Sequence, residues 1–125
     1  MLGSTNIIAF VPTTDATRAR AFYEGVLGLK FVADDGFAMV LDANGIMIRV
    51  AKMGKEFTPA QFTILGWQVN GIEKIVAGLQ VKGVLFERYG FLKQDELGIW
   101  TAPTGDKVAW FKDPDGNVLS VSEHV

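Results

Sequence analysis

Two periods alternate along this chain, and each change of period marks an element. Asn6-Ile7-Ile8-Ala9-Phe10-Val11 predicts a first strand that stops at Pro12, which has no N–H for a ladder. Thr13-Thr14-Asp15 then supplies helix N-caps. Ala19, Phe22, Tyr23, Val26 and Leu27 recur at helical spacing as one apolar stripe. Gly28 ends that helix, because glycine tolerates the left-handed conformation of a C-terminal cap. Three short strands are predicted at 29–33, 36–41 and 46–50. They are separated by the turn segments Asp34-Asp35-Gly36 and Asp42-Ala43-Asn44-Gly45.

Residues 52–60 carry no clear period and read as a connection. The plan then repeats. Residues 62–69 predict a strand, and Asn70-Gly71-Ile72-Glu73 has the spacing of a capping box. Ile72, Ile75, Val76 and Leu79 form a second helical stripe, which Gly83 ends. Strands are predicted at 84–88, 107–112 and 118–122, with a further one at 97–101. The two halves therefore share a β-α-β-β-β order and suggest one continuous α+β domain, 1–125, with internal modules at about 5–51 and 61–123. Within strands the alternation is two-faced. Leu119 and Val121 oppose Ser120 and Ser122, while Ile46, Ile48 and Val50 oppose Met47 and Arg49.

Composition narrows the chemistry. The 125 residues are 49% apolar and 21% charged, and 9 Phe, 3 Trp and 2 Tyr supply a core, so disorder is excluded. The absence of cysteine excludes disulfides, Cys-ligated zinc, iron–sulfur clusters and thiol nucleophiles. The single histidine, His124, allows no His-rich metal site, and no Ser-His-Asp triad except at the C-terminal end. Twelve basic against 14 acidic residues give a net charge of -2, which argues against nucleic acid as a partner. No signal-like segment or membrane-length apolar run is present, so the expectation is a soluble, cytoplasmic protein with no membrane partner.

Two segments together resemble a known family. Phe10-Val11-Pro12, Asp15 and the run from Arg18 through Phe22-Tyr23-Glu24 to Leu27-Gly28-Leu29 resemble the opening of the vicinal-oxygen-chelate superfamily. Trp110-Phe111-Lys112-Asp113-Pro114-Asp115-Gly116-Asn117 resembles its C-terminal signature. This superfamily includes glyoxalase I, bleomycin-resistance proteins, fosfomycin-resistance enzymes and extradiol dioxygenases. The resemblance implies paired β-α-β-β-β modules whose sheets curl around a cavity, helices outside, and it makes a homodimer the expected assembly. It also implies four metal-ligand positions, which fall here on Asn6, Arg49, Ile64 and Ser120. These offer no imidazole, carboxylate or thiolate, and Arg49 adds a permanent positive charge. No metal and no other cofactor is therefore expected.

The remaining candidates are ligand-binding groups. Arg49, one of four arginines, suits a carboxylate or phosphate, or else pairs with an internal acid. Asn6 and Ser120, and more weakly Gln68 and Ser122, can hydrogen-bond a ligand. Met47 and Ile64 would line a pocket. Trp100, Trp110 and Phe91 are candidates for a stacking wall or an interface, whereas alternation assigns Trp67 to the core. Asp113-Pro114-Asp115-Gly116-Asn117 reads as a turn rather than a calcium loop. His124 reads as solvated, with a proton relay as the lesser alternative.

The leading functional expectation is metal-independent binding of a small organic molecule, anions included, in a cavity or dimer groove. The alternatives are a glyoxalase-like lyase or isomerase and an interaction module with a collapsed cavity. Catalytic residues are not assigned by the sequence.

Overall fold

The structure is a computed structural model describing residues 1–125. The chain divides into two compact units, Met1–Thr58 and Pro59–Val125. Each holds an open four-stranded mixed sheet, and the class is α+β.

In the first unit the strands are β1 (Ile8–Thr13), β2 (Lys30–Asp34), β3 (Ala38–Ala43) and β4 (Ile46–Lys52), in the order β1-β4-β3-β2. β1 runs parallel to β4, and the other neighbours are antiparallel. β1 begins two residues later than the pattern suggested and continues through Pro12 to Thr13. A proline is tolerated there because β1 is an edge strand, where one side of the backbone makes no ladder.

Helix α1 (Ala16–Arg20) starts at Asp15, whose carboxylate accepts the Arg18 N–H at 3.0 Å. It is α-helical for only five residues. From Ala21 to Val26 the chain widens into a π-helical turn, with the Leu27 N–H reaching Phe22 O at 2.9 Å. Tyr23 and Ala19 are fully buried, together with Val11, Met39, Leu41, Ile48 and Val50, and these form the first core.

In the second unit the strands are β5 (Thr63–Gln68), β6 (Trp100–Thr101), β7 (Lys107–Lys112) and β8 (Val118–Glu123), with α2 (Ile72–Val81) between β5 and β6. Their order is β5-β8-β7-β6, the same plan as in the first sheet. Phe111, Ala109, Leu119 and Val121 pack one face of this sheet, and Ile72 and Val76 of α2 are buried with them. Trp67 stands opposite Val121 on this side and is half-buried.

Three local expectations are corrected. The capping box at Asn70 does not form. Gly71, at φ 70°, is the N-cap, and the Glu123 carboxylate accepts the Ile72 N–H at 2.9 Å instead. Glu73 is drawn away to Lys107 at 3.0 Å. Residues 84–88 form no strand, only a single bridge between Phe86 and Phe111. Side chains take the backbone groups a ladder would use: Gln94 Oε1 accepts the Tyr89 N–H at 2.8 Å, and Gln94 Nε2 donates to the carbonyls of Glu87 and Gly98. The strand expected at 97–101 shrinks to two residues because the Asp95 carboxylate holds the N–H groups of Leu97 and Ile99 in a turn.

The turn between β7 and β8 is built on Asp113, which is buried. One carboxylate oxygen accepts the N–H groups of Asp115 and Asn117, both at 2.9 Å, and the other accepts Asn117 Nδ2 at 2.8 Å. This is turn chemistry, with Pro114 and Gly116 supplying the backbone angles. Replacing Asp113 removes the carboxylate that these three donors bond. Asp113→Ala is expected to lower unfolding stability by about 3 kcal/mol, read as a lower urea midpoint at unchanged slope. A midpoint within error of the wild type would mean that this turn does not hold the two strands.

Candidate functional site

Alternation leaves one face of each sheet uncovered by its own helix. In the first unit that face carries Ile8 opposite Met47, and Phe10 opposite Arg49. Ile8 is 45%, Phe10 62% and Met47 40% exposed, so the face is apolar and open in this unit. Arg49 is its charged member. Its guanidinium donates to Asp35 Oδ2 at 2.7 Å, realising the internal ion pair anticipated as its alternative role. The other Asp35 oxygen accepts the N–H groups of Phe37 and Ala38, both at 2.9 Å. Beside it, Lys52 donates to Asp34 at 2.7 Å. The two cations of β4 are thus answered by the two acids of the β2–β3 turn. Asn6 lies before β1 and is exposed.

In the second unit the corresponding face carries Trp110 opposite Ser120, Val108 opposite Ser122, and Trp100 opposite Val108. Gly66 stands beside Ser120 and Gln68 beside Ser122. A Cβ on Gly66 would lie 2.6 Å from Ser120 Oγ, so glycine is what allows the hydroxyl to sit over the β5 backbone. Ile64 falls on the register shift between Thr63 and Leu65 and is half-buried.

Trp100 and Trp110 open onto a cleft of about 350 Å³, completed by Phe62, Tyr89, Phe91 and Val118 among others. The rings form a connected set. Tyr89 meets Trp110 edge-on at 5.5 Å and 82°, Tyr89 lies 5.8 Å from Phe91, and Trp100 lies 6.2 Å from Trp110. No charged side chain lines the cleft. Burial, aided by the nearby Glu87 carboxylate, raises the Tyr89 phenol pKa, so its hydroxyl remains a neutral donor. The sequence named Trp100, Trp110 and Phe91 as wall or interface candidates. It did not signal Phe62, whose membership depends on where β5 begins.

The four positions that the resemblance implied as ligands, Asn6, Arg49, Ile64 and Ser120, lie in their units as described. Among them are an amide, a guanidinium already paired, an aliphatic side chain and a hydroxyl. No group of three His, Cys, Asp or Glu residues that could hold a metal ion occurs in the structure. The residues present do not fit a divalent metal.

The family follows from comparison. A profile of the Glyoxalase/Bleomycin resistance protein/Dioxygenase superfamily matches residues 5–121, and the chain belongs to that superfamily. A search of curated proteins gives no match. Among solved structures, a member of the same superfamily from Sphaerobacter thermophilus DSM 20745 superposes with a TM-score of 0.77 at 20% identity, covering 99% of this chain and 100% of that one. TnmS3, an antibiotic binding protein from Streptomyces sp. CB03234, gives 0.73 at 22% identity, covering 100% and 99%. Lactoylglutathione lyase from Agrobacterium tumefaciens gives 0.73 at 16% identity, covering 96% and 93%. At these identities the likeness establishes the fold alone.

The Asp35 contacts carry a pH signature. Arg49 first, and then the Ala38 and Phe37 N–H groups, hold the Asp35 carboxyl well below the usual carboxylate range. Asp34 is lowered mainly by Lys52 and then by the Gly36 N–H. The folded state therefore releases these protons more readily than the unfolded chain. The stability they add is complete above pH of about 4 and is lost as pH falls further, toward their lower folded values. Urea midpoints from pH 7 to 3 should decline below that point, and Asp35→Asn should flatten part of the decline. An unchanged pH profile in the variant would remove Asp35 from this account.

Proposed function

We propose that this protein binds a small, flat organic molecule without using a metal ion. The observation that carries the reading is the aromatic cleft beside Trp100 and Trp110, which presents ring faces and no charge. Such a surface rewards stacking and apolar burial, while the Tyr89 hydroxyl and the nearby Ser120 can orient a polar substituent. The donor set at Asn6, Arg49, Ile64 and Ser120 supports independence from metal. A neutral aromatic ligand suits the cleft better than the anion anticipated for Arg49, because the Arg49 charge is already answered by Asp35. TnmS3, an antibiotic binding protein of the same fold, makes drug-like ligands a sensible first library. A homodimer in the cytoplasm belongs to the same proposal.

Trp100, Trp110 and Trp67 give an intrinsic reporter. Titration with planar polycyclic compounds should quench tryptophan emission saturably. Trp110→Ala should weaken binding at least about tenfold, ~1.4 kcal/mol, through loss of one stacking wall. Untagged protein incubated with zinc, nickel, manganese and iron(II), then freed of excess, should retain far less than one ion per chain by mass spectrometry. A stoichiometric, tightly held ion would overturn the metal-independent reading in favour of a glyoxalase-like lyase. No quenching across the panel would overturn the aromatic cleft as a ligand site.

A further inference from the structure

The open face of the second sheet carries a second constellation beyond the aromatic cleft. Ser122 Oγ lies 3.0 Å from His124 Nε2. The other ring nitrogen of His124, Nδ1, lies 3.4 Å from Asp106 Oδ2. Serine, imidazole and carboxylate thus stand in the order a nucleophile, its base and the base's positioning group require. As an ionised carboxylate only accepts, Asp106 selects the tautomer with a proton on Nδ1. That leaves the Nε2 lone pair facing the serine hydroxyl.

Asp106 is itself anchored. Its Oδ1 accepts the Val125 N–H at 2.9 Å, and its backbone carbonyl accepts the Ala102 N–H at 2.7 Å. The neighbouring charges point elsewhere: Glu123 holds the Ile72 N–H, and Lys107 pairs with Glu73. The imidazole is about half exposed, so water can reach it.

We propose that Ser122, His124 and Asp106 form an esterase site, with small aryl carboxylic esters as its substrate class. Ser122 Oγ attacks the ester carbonyl carbon as its proton passes to His124 Nε2. The carbon–aryloxide bond then breaks, and the aryloxide leaves as a phenol with that proton. Water next attacks the acyl-serine and gives a proton to Nε2. The acyl–Oγ bond breaks, Oγ recovers the proton, and a carboxylic acid departs. The net change is ester plus water to acid plus phenol, with no oxidant or reductant. Gln68, beside Ser122 in register, supplies the carboxamide N–H assigned to the carbonyl oxygen as it gains charge.

The aryl preference rests on the reading of the aromatic cleft, whereas the covalent step does not. Trp100 lies two strand spacings from Ser122 on the same face, roughly 10 Å, which is within reach of an aryl group.

The first test is wild-type, untagged protein treated with a fluorophosphonate probe, with the adduct located by peptide mass spectrometry. It needs no variant and no ligand for the cleft. The expected result is one adduct, on Ser122. An adduct confined to other residues, or none, overturns the proposal. Hydrolysis of p-nitrophenyl acetate should fall at least about tenfold in Ser122→Ala and in His124→Gln, since general-base assistance is commonly worth that or more. Asp106→Asn should lower kcat with KM unchanged, as befits a positioning residue. A Ser122→Ala variant as fast as the wild type overturns the proposal, whether or not the fluorescence titration finds a cleft ligand.

Discussion

The register between β7 and β8 decides what each face of the second sheet can do. Phe111 stands opposite Leu119, and Ala109 opposite Val121, on the side that α2 helps to bury. Trp110 opposite Ser120, and Val108 opposite Ser122, take the other side. A slip of one residue would exchange the two sets, burying hydroxyls and exposing the core. The Asp113 turn stands against that slip. Its carboxylate binds three donors from the two residues that must lie in place for β8 to begin at Val118. Stability and site are therefore set by the same contact, because Ser120 and Ser122 can face outward only if Leu119 and Val121 face in.

The first unit solves a different problem with the same plan. Its open face carries Arg49 among Ile8, Phe10 and Met47, and a cation among apolar groups needs an answer. Asp35 provides it from a turn already folded around its own carboxylate, so little extra ordering is required. The pairing occupies the guanidinium of the strand position that the resemblance implied as a metal ligand. The charge that a ligand or ion would have met is satisfied within the unit. Arg20 of α1 is answered in a similar way, bonding Glu24 at 2.9 Å while lying 3.6 Å above the Phe31 ring.

Much of this was legible in the sequence, for physical reasons that differ by element. β4, β7 and β8 were readable because strict alternation between a buried and an open face leaves a period-two record. Asp15 as N-cap and the Asp113 turn were readable because their chemistry is local. The failures have other causes. The helix through Ala21–Val26 has an apolar stripe that an α-helix and a π-helical turn satisfy almost equally. At 84–88 the apolar residues suggested a strand, but Gln94, from later in the chain, holds the Glu87 carbonyl. The cap of α2 comes from Glu123, fifty-one residues away. Composition did mark His124 as the one histidine, with Ser122 two residues before it, yet Asp106 needed the β7–β8 pairing to come beside it.

Comparing the two open faces shows how one topology supports unlike chemistries. The repeat fixes which strand positions look outward, and it leaves their identities unconstrained by the core. In the first unit those positions hold apolar groups, Phe10 among them, and a paired cation. In the second they hold two tryptophans, two serines and a glutamine. A metal site demands several correct donors at once. Stacking demands only ring faces and a gap, and a hydroxyl row demands only alternation. The second unit presents both, so the proposed binding chemistry lies within residues 59–125.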